Sequence, residues 1–425
     1  MYVRNCLITF SVLIITIGNI SAQKKLKTPA QLVKAEIYRN IDEAMLNKKR
    51  VYKLNLDGQH LNSVPEEIQK FVNLQELYLR NNNIAFLPDW IFSLTNLQKL
   101  MLGENNLQAI QPEIRNLQYL EELDLFDNEI SKLPPDIEQL NNLRKVDLNW
   151  NKIEKLPDEI TRLKNLESLY LEKNNLTHLP SSIGSCSSLA ELKLAENNLV
   201  TLPASIGQLS KITELNLTKN KLNELPEELG YTTNLEILIL RSNKLVSLPE
   251  NLSSLKKIRE LDLSDNQIKC LPQKGLNISS LEKLDISSNQ IGSIRINTDN
   301  LNKLLWLEAE NNMIKIPDAL FSVESLEHLN LSRNRIEKIE SGIINLKNLK
   351  YLDLSQNRIY SVTKYIGSLT NLEYVDLSIN NIRILQREIG EMKSLKELNL
   401  SNNDISDYQK NNIKKYLPKS VQVTF

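Results

Sequence analysis

The sequence predicts an α/β solenoid, a horseshoe of sixteen coils with a parallel sheet along its inner face and short helical or irregular turns on its convex side. Three observations predict it. A pattern of the form L-x-x-L-x-L-x-x-N-x-L starts at Leu74, Leu97, Leu120, Leu143, Leu166, Leu189, Ile212, Leu235, Ile258, Leu281, Leu304, Leu326, Leu349, Leu372 and Leu395, and in a variant form at Val51. Fourteen of the fifteen intervals are 23 residues, and the one from Leu304 to Leu326 is 22. The ninth position is Asn in fifteen copies, from Asn82 to Asn403. At 425 residues the chain is long enough for two or three globular domains, but a period this regular over most of its length describes a single array.

Each part of the copy has a mechanical reason. In Leu120-Glu121-Glu122-Leu123-Asp124-Leu125, Leu123 and Leu125 alternate inward around an outward Asp124, the period of a short strand. Stacked coils join such strands into one parallel sheet. The ninth-position amide both donates and accepts, so a column of inward Asn satisfies backbone groups freed where the chain leaves the strand. The second half, as in Leu156-Pro157-Asp158-Glu159-Ile160-Thr161-Arg162-Leu163, suits a short helical turn. Pro takes the first helical position, acids sit near the positive helix end, and Ile160 and Leu163 turn back to the core. The proline recurs from Pro65 to Pro272 with one skip at Gln111, where Pro112 follows. From Arg295 onward it is kept only at Pro317, and Glu340, Thr363 and Gln386 stand in its place. Copies ten to twelve, with Gly275, Thr298 and the 22-residue interval, read either as a joint between two sub-arrays or as drift among duplicated copies.

The ends divide the chain. Residues 1–22 read as a secretory signal: Arg4, an apolar stretch from Leu7 to Ile17, and Ile20-Ser21-Ala22 as a cleavage site before Gln23. The apolar run is short for a membrane span, and no Cys follows it to carry a lipid. The mature chain is therefore expected to start at Gln23, to make no stable membrane insertion, and to be secreted, periplasmic or at the cell surface. Residues 23–50 are expected to form a helical cap that starts at Thr28-Pro29 and seals the first coil with Leu32, Val33, Ile37, Ile41, Ala44 and Met45. Residues 51–403 hold the sixteen copies. Residues 404–425 are expected to close the array, with a helix from Tyr408 to Tyr416, a stop at Pro418, and a last strand in which Val421, Val423 and Phe425 alternate. Cys6 lies in the signal. Cys186 and Cys270 are expected as buried small hydrophobes, roughly 20 Å apart at strand spacing and beyond disulfide reach.

Charge narrows the partner class. Lys+Arg and Asp+Glu are 52 each, yet residues 24–50 carry eight basic against three acidic side chains and residues 404–425 carry four against two. The copies themselves are left mildly acidic, which argues against a nucleic-acid partner.

The copies resemble the leucine-rich repeat. Their Leu-Pro-x-x-Ile-x-x-Leu-x-Asn-Leu flavour is similar to the 23-residue subclass shared by bacterial secreted repeat proteins, plant Ras-group repeat proteins and animal Ras-signalling scaffolds, over roughly residues 51–425. The resemblance implies the horseshoe fold and a non-enzymatic role in binding a protein or other macromolecule. The motif describes core and turns, so the variable positions select the partner. The Ser21-Ala22-Gln23 junction resembles exported bacterial proteins, and neither end has the Cys clusters of extracellular animal members. The competing reading is a cytoplasmic or membrane-tethered signalling scaffold of the Ras-group kind.

Enzyme chemistry has no foothold in the motifs. A nucleotide-binding Gly-rich loop, a Gly-x-Ser-x-Gly elbow and a Cys-x-x-Cys pair are all missing from the sequence. His60, His178 and His328 fall at positions 10, 13 and 3 of different copies, so neither a metal site nor a catalytic histidine is expected, and no cofactor is implied. The outward strand positions hold the information. Position five is acidic at Asp124, Asp147, Asp262, Asp285, Glu308, Asp353 and Asp376. That column is either a common spelling of the strand, relieved by Lys145 and Lys283, or a contact for a partner with a basic surface. Position three reads Trp306, His328, Tyr351 and Tyr374 in copies twelve to fifteen. In copies two to six, Tyr78, Met101 and Tyr170 lie at position five, with Phe126 and Trp150 just beyond the strand. Aromatic and Met side chains are enriched at binding surfaces, so both groups are candidate partner contacts.

Overall fold

The computed structural model describes residues 26–272, 276, 278–294, 300–317 and 319–425. The signal in residues 1–22, and Gly275, Arg295 and Thr298 of the expected joint, lie outside them. Positions three to five of each coil form a three-residue strand, and each strand pairs in parallel with the next in the chain. Register runs position to position, as in Glu76 opposite Lys99 opposite Glu122. The sheet has 18 strands, one from each coil plus Ile37–Tyr38 before the first and Gln422–Thr424 after the last. It continues without a break across the 22-residue coil, with Lys283 opposite Trp306 and Trp306 opposite His328. Side chains alternate along a strand, so the middle residue, such as Leu238 or Leu307, enters the core and its two neighbours stand on the open face.

The chain leaves each strand through a left-handed turn. At position eight φ is positive in every coil, from 50° at Asp127 to 66° at Gly58. That turn delivers the ninth-position Asn to the core. Asn220 is representative: its Nδ2 donates to Leu194 O at 3.0 Å and Leu217 O at 3.1 Å, and its Oδ1 accepts from Leu199 N at 3.0 Å. The amide ties two coils together and satisfies groups that water cannot reach, as the column of Asn predicts.

The return segments are 3-10 turns, such as Asp158–Arg162 and Glu227–Tyr231. Pro157 and Pro226 do not take the first helical position expected of them. They precede it, with extended ψ of 140° and 145°, and among the described residues only Pro112 and Pro135 sit inside the turn. An extended proline feeds the tighter turn and leaves no backbone N–H unpaired at its start. Successive turns pack so closely that a Cβ on Gly207 would overlap the backbone carbonyl of Glu228. Ile160 is fully buried and Leu163 nearly so.

At the N-terminal end, Thr28 starts a helix over Pro29–Val33 through a capping box with Gln31. The single amphipathic face expected here is divided among that helix, the strand Ile37–Tyr38 and a second helix, Ile41–Leu46. Leu32, Tyr38 and Ala44 are buried, whereas Val33 is 79% exposed, because pairing to the sheet edge turns the chain after Lys34. At the other end Ser406 caps a helix over Asp407–Tyr416, and Gln422–Thr424 pairs with Glu397–Asn399. Cys186 fills a core slot, and burial pushes its thiol up to about 11. Cys270 does not follow the expectation. It is exposed, because the adjacent Leu271 takes the inward slot.

Candidate partner-binding face

The four rings of copies twelve to fifteen form one stack. Ring centroids lie 3.6 Å apart for Trp306 and His328, 4.2 Å for His328 and Tyr351, and 4.7 Å for Tyr351 and Tyr374, with planes within 4–6° of parallel. Paired strands stand about 4.8 Å apart. The rings are closer than their backbones, as expected where side chains converge on the inner side of a curved sheet. Because they stack along the array, faces cover faces and the ring edges meet solvent. Trp306 remains 42% exposed.

Carboxylates anchor the edges. Trp306 Nε1 donates to Glu308 Oε1 at 3.0 Å, and His328 Nε2 lies 2.8 Å from the same oxygen. Burial pushes the Glu308 carboxyl up, but His328 and the hydrogen bonds from Asn330 and Trp306 outweigh it and hold the group below its ordinary range. Tyr374 donates its hydroxyl to Asp376 Oδ2 at 3.2 Å. Burial and neighbouring carboxylates push Tyr351 up to about 12 and raise Tyr374 as well.

The acidic column has a structural task. Asp147 Oδ1 accepts from Asn149 N at 3.0 Å, Asp262 from Ser264 N at 2.9 Å, Asp285 from Ser287 N at 2.9 Å, and Asp353 from Ser355 N at 2.8 Å. Asp124 and Asp376 cap their turns in the same way. Asn216, Asn330 and Asn399 make the same bond where the position is neutral. A side chain that bonds the amide two residues on closes the turn at the strand end. Asp124 is buried and paired with Arg80. Burial raises the carboxyls of Asp147, Asp285 and Asp353, with like-charged neighbours adding to it.

The aromatic residues of copies two to six do not form a second stack. Met101 is buried at 4% exposure and presents no surface. Tyr78 donates to Glu76 Oε2 at 2.9 Å. Phe126 and Trp150 meet at 6.2 Å with planes tilted by 58°, and Lys173 covers the Trp150 ring at 3.5 Å. Tyr170 bonds Glu191 and lies between Lys145 at 5.2 Å and Lys193 at 4.8 Å.

Sequence reasoning missed a charge ladder at position three. Lys53 pairs with Glu76 at 3.2 Å, and Glu122 holds Lys99 at 2.7 Å and Lys145 at 3.7 Å. Its signal was the alternation Lys53, Glu76, Lys99, Glu122, Lys145 at 23-residue steps. The same outward row thus runs from alternating charges at one end to stacked rings at the other. Midway, small side chains such as Ala190 and Thr213 leave a hollow of about 410 Å³ beside Lys193 and Glu214.

Comparison with known proteins agrees with this geometry. A leucine-rich-repeat region model matches residues 46–153 and 135–246, and a leucine rich repeat model matches residues 233–291, 309–359 and 348–405. A leucine-rich-repeat protein of Leptospira interrogans is 35% identical, with a TM-score of 0.77 over 92% of this chain and 100% of that one. The plant peptide hormone receptor RGFR1, solved with RGF2, is 27% identical, with a TM-score of 0.72 over 91% of this chain and 68% of that one. The Arabidopsis receptor kinase HAESA, solved with the peptide hormone IDA and the co-receptor SERK1, is 26% identical, with a TM-score of 0.65 over 89% and 70%. None of the curated proteins compared matches the chain. With the copies, the Asn column and the matched repeat models coinciding over almost the same residues, the chain belongs to the leucine-rich-repeat family.

Proposed function

We propose that this chain is an exported, non-enzymatic binding protein that takes a protein partner on the inner face of its array, with the rings of Trp306, His328, Tyr351 and Tyr374 as the anchor. The observation that carries the reading is the ring stack itself, four aligned side chains on an open sheet in a chain with 5% aromatic residues. Glu308, Asp353 and Asp376 flank it, which favours a partner with a basic surface over one with an acidic surface. The receptors RGFR1 and HAESA were solved with peptide ligands, which supports a polypeptide as the ligand class here. On this reading residues 1–22 are a cleaved signal, residues 23–50 and 404–425 close the array, and the 23-residue Leu-Pro-x-x-Ile copies are of the bacterial secreted kind. Among the described residues no helix is long and apolar enough to cross a membrane.

Two measurements test it. Sequencing the N-terminus of the natural protein should find Gln23, and an intact Met1 would contradict export. A pull-down from native extract should recover a partner with the parent chain and lose it with Trp306→Ala/Tyr351→Ala. Equal recovery by both would remove the rings from the interface.

A further inference from the structure

Between its strand and its return turn, each coil runs along one flank of the array over positions eight to thirteen. The eleventh residue turns inward, and Ile314, Ile336, Ile359 and Ile382 of coils twelve to fifteen are fully buried. The eighth, tenth, twelfth and thirteenth residues of these coils are all exposed. Arg335 N donates to Ile314 O, Arg358 N to Ile336 O and Asn381 N to Ile359 O, each at 2.9 Å. Equivalent side chains of neighbouring coils therefore stand side by side.

On this flank coils twelve to fifteen differ from those before them. Lys315, Arg333, Arg335, Lys338, Arg358 and Arg383 stand against a single acid, Glu337. The same positions of coils two to eleven hold eight Lys, seven acids and no Arg. There a cation can find its partner one coil away, as Lys152 does in Glu129 and Lys219 in Glu196. In the later coils Arg333 reaches Glu310 at 3.4 Å and Arg383 reaches Asp404 at 3.8 Å, pairs too exposed to bind strongly. Arg335 and Arg358, adjacent in register, enter no ion pair among the described residues. Apolar side chains are interleaved with these charges: Met313, Ile316, Tyr360, Ile379 and Ile384 are each at least 37% exposed. Ile379 is also the one β-branched residue on left-handed backbone among the described residues, half-exposed and without the burial that would offset its strain.

We propose that the flank of coils twelve to fifteen is a second interaction surface, which takes an acidic, apolar-bearing face of a protein partner. Uncompensated charge of one sign selects a ligand of the other. Composition selects the class of ligand. Arg makes up 15 of the 52 cations of the chain but four of the six here, and Arg, Met and Tyr are enriched at protein interfaces where Lys is depleted. The guanidinium fork matches a carboxylate through two parallel bonds, whereas a charged lipid surface draws Lys and Arg alike. The inner face, with Glu308, Asp353 and Asp376, has the opposite sign, so the two surfaces take different chemistry and either stands without the other.

The test places the photoreactive residue benzoylphenylalanine in the whole chain instead of Tyr360, and separately instead of Val246, which holds the same position in coil nine and is also exposed. After irradiation in native extract the linked peptides are sequenced. Position 360, and not position 246, should link to a protein segment in which Asp and Glu outnumber Lys and Arg. That segment, synthesised and labelled, should bind the parent saturably in fluorescence anisotropy. Arg335→Glu/Arg358→Glu should weaken it by about tenfold or more, and Ile384→Asp should weaken it as well, both with the parent's circular dichroism. Trp306→Ala/Tyr351→Ala should leave it unchanged, which separates this surface from the ring stack. No link from position 360, links from both positions alike, or a linked segment of net positive charge would overturn the proposal. So would equal binding by the parent and Arg335→Glu/Arg358→Glu, or a loss confined to Trp306→Ala/Tyr351→Ala. Flotation of the parent, but not of Arg335→Glu/Arg358→Glu, with phosphatidylglycerol vesicles would assign the flank to a lipid surface and overturn the protein partner.

Discussion

The imidazole of His328 lies 3.6 Å from the indole of Trp306, within 4° of parallel, and both reach the same oxygen of Glu308. Rings that cover each other hold adjacent coils together as well as present an edge to a partner. Trp306→Ala should therefore lower the unfolding free energy by about 0.5–1.5 kcal/mol, the worth of one aromatic pair beyond its area. Urea denaturation followed by circular dichroism measures it. An unchanged midpoint and slope would show that the rings stand side by side without mutual support.

Asn220→Ala should cost about 1–3 kcal/mol, the penalty for stranding buried backbone groups. The variant leaves Leu199 N without its acceptor and deprives Leu194 O and Leu217 O of a donor. The same denaturation experiment reads the loss, and a change within error would mean that the amide column does not join the coils.

Asp285 caps its turn at a charge penalty. Burial raises its carboxyl above the ordinary 3.8, with Asp262 and Glu308 opposite it in register adding to the effect. A carboxyl raised in the folded state contributes stability below its ordinary value and loses it as pH rises through the folded one. Asp285→Asn keeps an oxygen for Ser287 N and removes the charge, as Asn330 does in its own coil. The variant should melt higher than the parent at pH 7, with the difference shrinking toward zero as pH falls below about 4. A difference that grows in acid would reverse the sign of the account.

Ile379 occupies the left-handed position of its coil at φ 51° with a β-branched, 48% exposed side chain. Left-handed backbone costs such a residue about 1–2 kcal/mol, and Asn tolerates it better. Ile379→Asn should raise the thermal midpoint by a gain of about 1 kcal/mol in stability. A lower midpoint would show that the isoleucine packs well enough to offset its backbone.

The strands, the Asn column and the ring stack were legible in the sequence because each repeats a residue type at one position, and in-register pairing carries that repetition directly into space. The left-handed turn was hidden because its position is filled by residues as different as Trp150, Lys173 and Ile379, so the backbone requirement leaves no trace in residue type. Asp262 and Asp285 could be placed on the open face, but not their bonds to Ser264 and Ser287, which depend on the turn that follows. Val33 and Cys270 departed from expectation where a neighbour, the edge strand Ile37–Tyr38 or Leu271, took the inward place. The short interval between Leu304 and Leu326 marked an irregular coil, but that it leaves Ile316 on the surface, 68% exposed, shows only in the structure.

Whether the ring stack holds a partner is decided by the dissociation constant of the recovered partner for the parent and for Trp306→Ala/Tyr351→Ala, beside the melting curve of each. Binding should weaken by about 2 kcal/mol or more, roughly 30-fold, in a variant that still melts cooperatively within the modest loss expected from unstacking. Equal dissociation constants for two folded proteins would contradict it.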